Sequence, residues 1–177
     1  GPSGCGKSTV ARAVLQLRPP GSSCEGSLQL AGRDPRTLQR SALRHLRGEA
    51  VGLVFQDPMT RLNPLLTIGE HLRDTLAAHR PVWGRQRGVA RAKELLARVG
   101  IPPERYGSYP HEFSGGMRQR VAIALALALD PPLVIADEPT TSLDVAVAGQ
   151  VMAELRDLCE ESGCALMLIT HDLAMAG

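Results

Sequence analysis

The chain opens on Gly-Pro-Ser-Gly-Cys-Gly-Lys-Ser, a G-x-x-x-x-G-K-[ST] run, and this one feature restricts the possible folds more than any other. Glycines let a backbone bend sharply and come close to a ligand. A helix that starts directly after such a loop turns its positive N-terminal end to the same point. The apolar spacing of the following Val10 to Leu17 suits a helix packed on one face, so a loop feeds a helix and a phosphate-binding geometry is expected. In that geometry the backbone of Gly1, Pro2, Ser3, Gly4, Cys5 and Gly6 wraps the phosphates. Lys7 reaches the β and γ oxygens, Ser8 offers its hydroxyl to Mg²⁺, and Thr9 sits beside it in the first helical turn. The expected ligands are therefore a phosphate-bearing nucleotide and Mg²⁺.

A glycine loop alone leaves the chemistry open. Its complement is Leu133-Val134-Ile135-Ala136-Asp137-Glu138, an apolar run that reads as a buried strand with two carboxylates at its carboxyl end, where ligands bind in parallel sheets. Asp137 is placed to hold the metal, and Glu138 to accept a proton from an attacking water. Phe113-Ser114-Gly115-Gly116-Met117 is a third element: a serine at a helix start followed by two bare glycine backbones, able to hold a second phosphate.

The strands around these motifs imply an α/β fold with a parallel sheet. Short strands are expected over Ser27–Leu30, Val51–Phe55, Leu133–Ala136 and Ala165–Ile169. Ala148, Val151, Met152, Leu155, Leu158 and Cys159 mark one face of a helix between the last two, and strand, helix, strand implies parallel pairing with a right-handed crossover. Arg36 to Arg47 reads as a helix with Arg36, Arg40 and Arg44 on one face, most simply a solvated one. Residues 57–130 turn helical, with helices expected over Ile68–His79, Gln86–Val99 and Gly115–Leu129. This block is taken as a helical subdomain inserted between core segments 1–56 and 131–177.

Bulk properties agree with one such domain. At 177 residues the chain can bury a real core. Its longest apolar run, Val121 to Leu129, falls far short of the roughly 20 residues a membrane-crossing helix needs. Cys5, Cys24, Cys159 and Cys164 show no paired metal-site spacing and read as reduced thiols. Eighteen of the twenty basic residues are arginine, which makes Lys7, one of two lysines, conspicuous inside the glycine loop.

Taken together the motifs resemble the nucleotide-binding subunit of ABC transporters, a P-loop NTPase with a RecA-like parallel-sheet core, over essentially the whole chain. The family signature LSGGQ stands here as FSGGM. The resemblance implies that Ser114, Gly115 and Gly116 contact the γ-phosphate of ATP held by the opposing subunit of a head-to-tail dimer. It makes Gln56 the glutamine that touches Mg²⁺ and water and relays nucleotide state to the membrane partner. It also makes Asp144, in Ser142-Leu143-Asp144, part of the loop joining the two subunits, and His171 the switch histidine on the γ-phosphate.

Phe55-Gln56-Asp57-Pro58-Met59-Thr60-Arg61-Leu62-Asn63-Pro64, Tyr109-Pro110-His111-Glu112-Phe113 and Ala136-Asp137-Glu138-Pro139-Thr140-Thr141 are similar to the peptide and nickel importers. That implies an ATPase that powers solute import through permease subunits, with a solute-binding protein as further partner, peripheral on the cytoplasmic membrane face and without nucleic acid. Two alternatives share these motifs: a non-transport ABC ATPase of the translation or DNA-repair type, and a nucleotide-binding module without turnover. By the family pattern the strand leading into Gly1, an upstream adenine-stacking aromatic and the elements after Gly177 belong to the whole subunit. The chain is therefore expected to be a fragment of it, hydrolysing ATP poorly alone.

Overall fold

The computed structural model describes residues 6–17, 21–57 and 62–171, with Lys7 through its backbone only. Helix α1, Lys7–Val14, starts on Gly6, whose φ of 94° places it in the left-handed region that glycine enters without strain. A three-residue helical turn at Pro35–Thr37, helix α2 (Arg40–His45) and a wide turn at Leu46–Ala50 lead to strand β1, Gly52–Val54. Three helices follow, α3 (Ile68–His79), α4 (Arg85–Arg98) and α5 (Gly115–Ala126), and then strand β2, Leu133–Asp137. Helix α6, Val145–Glu161, returns the chain to strand β3, Ala165–Ile169.

The three strands form a parallel sheet in the order β1-β2-β3. Its register pairs Val54 with Ala136 and Ala136 with Leu168, so all three strands finish at one edge and the residues after them converge there. Alternation along the strands sends side chains to two faces. Val54, Val134 and Ala136 join a large apolar cluster with α3, α4, α5 and α6. Val51, Ile135 and Ile169 join a smaller one with Ala11 and Leu15 of the α1 segment. Helices therefore cover both faces, and β2 is buried on each, which explains why its sequence is continuously apolar.

Close approach fixes how the sheet meets α5. A Cβ on Gly52 would come closer than 3.0 Å to the carbonyl oxygen of Ala126, so only glycine lets β1 lie against the end of that helix. Helix α3 begins with a reciprocal cap: Glu70 N–H donates to Thr67 Oγ1 (3.2 Å), and Thr67 N–H donates to Glu70 Oε2 (2.8 Å).

Several expectations need correction. Ser27–Leu30 is no strand; Leu30 only bridges Arg33 across a turn made by Ala31 (φ 49°) and Gly32 (φ 73°). Alternating residues cannot build a strand without a partner edge. The arginine segment is not one helix. Asp34 caps the Pro35–Thr37 turn by accepting from Arg36 N–H (2.9 Å), Leu38 is extended, and α2 starts afresh at Arg40.

Arg36 therefore leaves the face that Arg40 and Arg44, four apart within α2, still share. Arg36 pairs with Asp34, Arg44 donates to the Ala78 carbonyl (2.9 Å), and Arg47 donates to the carbonyls of Leu15 and Gln16 (2.8 Å each), tying the turn before β1 to the end of α1. Helix α5 ends at Ala126, three residues before the expected Leu129. A turn there leads to Asp130 at φ 51° and to Pro131 and Pro132, which have no N–H to extend a helix.

Candidate nucleotide site

The carboxyl edge of the sheet gathers residues that lie far apart in sequence. Ser8, in the first turn of α1, donates its hydroxyl to Asp137 Oδ1 at 2.8 Å across 129 positions. Asp137 is the last residue of β2 and only 4% exposed, one of two polar side chains in the buried core among the described residues. A buried carboxylate needs a partner; one hydroxyl bond leaves most of its acceptor capacity free. An oxygen pair of this kind fits a hard divalent cation such as Mg²⁺.

Glu138 follows directly, at φ 50°, a left-handed conformation that is costly for a side chain other than glycine's and typical of functional positions. The turn is held at both ends. Glu138 N–H donates to Ile169 O (2.8 Å), and Thr141 N–H returns to Glu138 O (3.4 Å). The turned backbone aims the Glu138 side chain, 12% exposed, toward the residue after β3. There His171 Nδ1 lies 2.7 Å from Glu138 Oε2, so Nδ1–H donates to the carboxylate and Nε2 faces away.

Thr141 Oγ1 donates to the same Oε2 at 3.2 Å. The sequence reading used Thr141 only as a subfamily mark. Its spacing of three from Glu138, the reach of a tight turn, is the signal that could have found it. Gln56 stands two residues past Val54 as Glu138 stands two past Ala136, and with those partners in register it sits exposed at the same edge.

A second group forms where α5 and α6 begin. Ser114 accepts from Met117 N–H (3.3 Å) and Asp144 from Val147 N–H (3.0 Å), so each caps its helix. The two starts pack together: a Cβ on Gly115 would lie 3.3 Å from Leu143, and one on Gly116 only 2.7 Å from Val147 Cγ1. No hydrogen bond or ion pair among the described residues joins this group to Ser8, Asp137, Glu138 and His171; only the turn from Glu138 to Asp144 connects them. Gly1, Pro2, Ser3, Gly4 and Cys5 of the opening loop lie outside the described residues, as does the side chain of Lys7.

A three-layer α/β fold with a glycine loop leading into α1, an acidic strand end opposite it and a histidine after the next strand defines the class: a P-loop NTPase of the ATP-binding-cassette type. Comparison with known proteins agrees. The family model described as ABC transporter matches residues 1–141, and the chain belongs to that family. It is 44% identical over 179 residues to the oligopeptide transport ATP-binding protein OppD of Bacillus subtilis (strain 168), covering 99% of this chain and 50% of that one. It is 48% identical over 178 residues to a protein described as a peptide import ATP-binding protein in Brucella abortus (strain 2308), covering 99% and 53%.

The chain thus spans about half the length of these curated relatives. Among solved structures, a dimeric post-hydrolysis state of the ATP-binding cassette MJ0796, bound to ADP and Pi, matches with a TM-score of 0.83 and 34% identity over 99% of this chain and 74% of that one. The cbiO1 cassette of Clostridium perfringens matches with a TM-score of 0.74 and 28% identity over 97% and 65%.

Proposed function

We propose that this chain is the ATP-binding and ATP-hydrolysing part of a subunit that powers peptide import through partner permeases. The observation that carries the reading is the clustering of Ser8, Asp137, Glu138 and His171 at one sheet edge, with the carboxylate of Glu138 held by two donors. ATP would lie over the first turn of α1, its phosphates on the loop from Gly1 to Gly6 with Lys7, Ser8 and Thr9. Ser8, Asp137 and Gln56 would hold Mg²⁺, which offsets the phosphate charge when bound.

Within that frame each residue has a separate task. Glu138 takes the proton of the attacking water, and its Oε2 is fixed by Thr141 and His171 so that Oε1 is the free basic atom. His171 donates from Nδ1 to Glu138, which leaves Nε2 for the terminal phosphate. Gln56, two residues past the end of β1, positions the water from beside the neighbouring strand.

Ser114, Gly115, Gly116 and Asp144 would complete the ATP site of a second, head-to-tail copy. That no hydrogen bond or ion pair among the described residues joins them to this chain's own catalytic group supports that assignment. So does Val145, an apolar side chain 87% exposed at the start of α6 beside them. We read 57–130 as the helical subdomain and the remainder as the catalytic core. No helix among the described residues is long and apolar enough to cross a membrane; on this reading permease subunits couple hydrolysis to transport at the cytoplasmic face. Peptide rather than nickel is chosen as solute because the relatives named above carry peptide in their names; a solute-binding protein follows from the same reading.

The test is ATP hydrolysis by the full-length protein beside Glu138→Gln, with size-exclusion chromatography in ATP. Glu138→Gln should lower turnover by at least about a hundredfold while an ATP-dependent dimer persists. Undiminished turnover in Glu138→Gln, or none in the intact protein with its permeases, would remove the reading.

A further inference from the structure

Away from the nucleotide site, one side-chain cluster stands out. His45 at the end of α2, Glu49 in the turn before β1 and His79 at the end of α3 bring their donor atoms within 4.8 Å of one another, the one such group of three among the described residues. We propose that His45, Glu49 and His79 form a binding site for a divalent transition-metal ion of the Zn²⁺ class, joining the turn that starts β1 to the C-terminal end of α3.

Four observations carry this. His79 is 10% exposed, yet its Nδ1 is buried and has no hydrogen-bond partner, an expensive condition that a metal bond would relieve. The Glu49 Oε1 to which Nδ1 points is 3.5 Å away and outside hydrogen-bond geometry, while His45 Nδ1 lies 3.2 Å from the same oxygen. Two donors bound tetrahedrally at about 2.0–2.1 Å stand roughly 3.3 Å apart, so both spacings already suit one ion. The donor set, two imidazole nitrogens and one carboxylate oxygen, selects Zn²⁺-like ions over Mg²⁺ or Ca²⁺.

Burial lowers the His79 pKa from its usual value against an opposing pull from Glu49. The neighbouring charges shape the affinity. Arg80 Nη1 donates to Glu49 Oε1 at 2.8 Å, and Arg44 lies close enough to disfavour a protonated His79. An ion would share the Glu49 carboxylate with Arg80, which weakens binding to a regulatory rather than a permanent level. The open side is ready for a water as fourth ligand, because a cavity of about 690 Å³ lined by His45, Glu49, Ser41 and Arg33 adjoins the cluster.

Occupancy would fasten α3 to the segment feeding β1, the strand that Gln56 follows two residues after its end. It therefore sits where movement of the helices against the sheet would be felt.

The experiment is calorimetric titration of ZnCl₂ into the full-length protein in excess Mg²⁺, which keeps Zn²⁺ from the oxygen site. It is paired with visible absorption of the Co²⁺ form, and both are repeated on His45→Gln, His79→Gln and His111→Gln. One site per chain is expected in the parent and in His111→Gln, with a d–d spectrum free of thiolate charge transfer. His45→Gln should weaken binding at least about tenfold and remove the cobalt spectrum. His45 is 62% exposed, so its replacement spares the fold even where His79→Gln does not. Equal Zn²⁺ affinity in the parent and His45→Gln, or no stoichiometric binding by the parent, overturns the proposal.

Discussion

Replacing Gly52 by alanine tests the packing that sets where β1, and hence Gln56, comes to rest. The added Cβ would approach the Ala126 carbonyl oxygen to under 3.0 Å and stand 3.2 Å from Pro131 Cγ. The first obstacle is backbone at the end of α5, not a side chain that can swing aside, so strand or helix must shift. Overpacking of this kind costs about 1–3 kcal/mol, and a backbone obstacle argues for the upper part of that range. Against it stands a gain of about 0.4–1 kcal/mol from the stiffer unfolded chain.

The net expectation is a loss of about 2 kcal/mol. For a domain of this size that lowers Tm by roughly 4–8 °C, at about 2–4 °C per kcal/mol. Gly149→Ala is the matched control. Gly149 is exposed within α6, its φ is negative, and a Cβ there meets nothing within 4 Å, so the same substitution should stabilise by about 0.5–1 kcal/mol. Urea unfolding followed by circular dichroism gives both values under identical conditions. Should the two variants agree within about 0.5 kcal/mol, well inside the ordinary spread of surface substitutions, the close approach of β1 to α5 would not be what fixes the strand.

Four further outcomes are expected. Thr141→Ala removes a hydroxyl that lies 3.2 Å from Glu138 Oε2 and 3.3 Å from Glu138 O, keeps the Thr141 N–H bond to that carbonyl, and should lower ATP turnover by about tenfold or less while leaving ATP affinity unchanged; an unaltered rate would show that His171 alone orients the carboxylate. Thr67→Ala opens the cap of α3 and should cost about 1 kcal/mol in urea unfolding. Hydrogen bonds from the Thr67 backbone and side chain hold the Glu70 pKa below its usual value, so that contribution is present above the unfolded carboxylate pKa and fades as pH falls through the folded one. The difference between parent and Thr67→Ala should therefore narrow in acid, as thermal melts from pH 7 to pH 3 would register. Burial pushes the Cys159 thiol up to about 12 and raises that of Cys164, so both should resist iodoacetamide at pH 8 until denaturant is added, by mass spectrometry.

The family and the candidate nucleotide chemistry were largely legible in the chain. A glycine loop that ends in lysine and serine, and an apolar strand that ends in two acids, are local patterns whose physical demands are met by residues adjacent in sequence. The segments of β2, β3, α3 and α6 follow for the same reason: periodicity and capping are short-range, and α3 carries its own reciprocal cap at Thr67 and Glu70. The segments that were misread, Ser27–Leu30 and the arginine stretch from Arg36 to Arg47, lack such local commitment. Their shape depends on whether an edge strand or an α1 carbonyl is there to receive them.

Long-range placement belonged to the tertiary structure alone. Nothing in the spacing of Ser8 and Asp137, or of Glu138 and His171, says that these pairs touch; the parallel register of β1, β2 and β3 does, by ending all three strands at one edge. The packing of α5 on α6 groups Ser114, Gly116 and Asp144 where the two helices start. His45, Glu49 and His79 carry no sequence signal at all, because two of them lie four apart beside an irregular turn and the third arrives from another helix. Sequence determines what a segment can do, since that rests on neighbours along the chain. Which segments meet is decided only when the sheet and its helices pack.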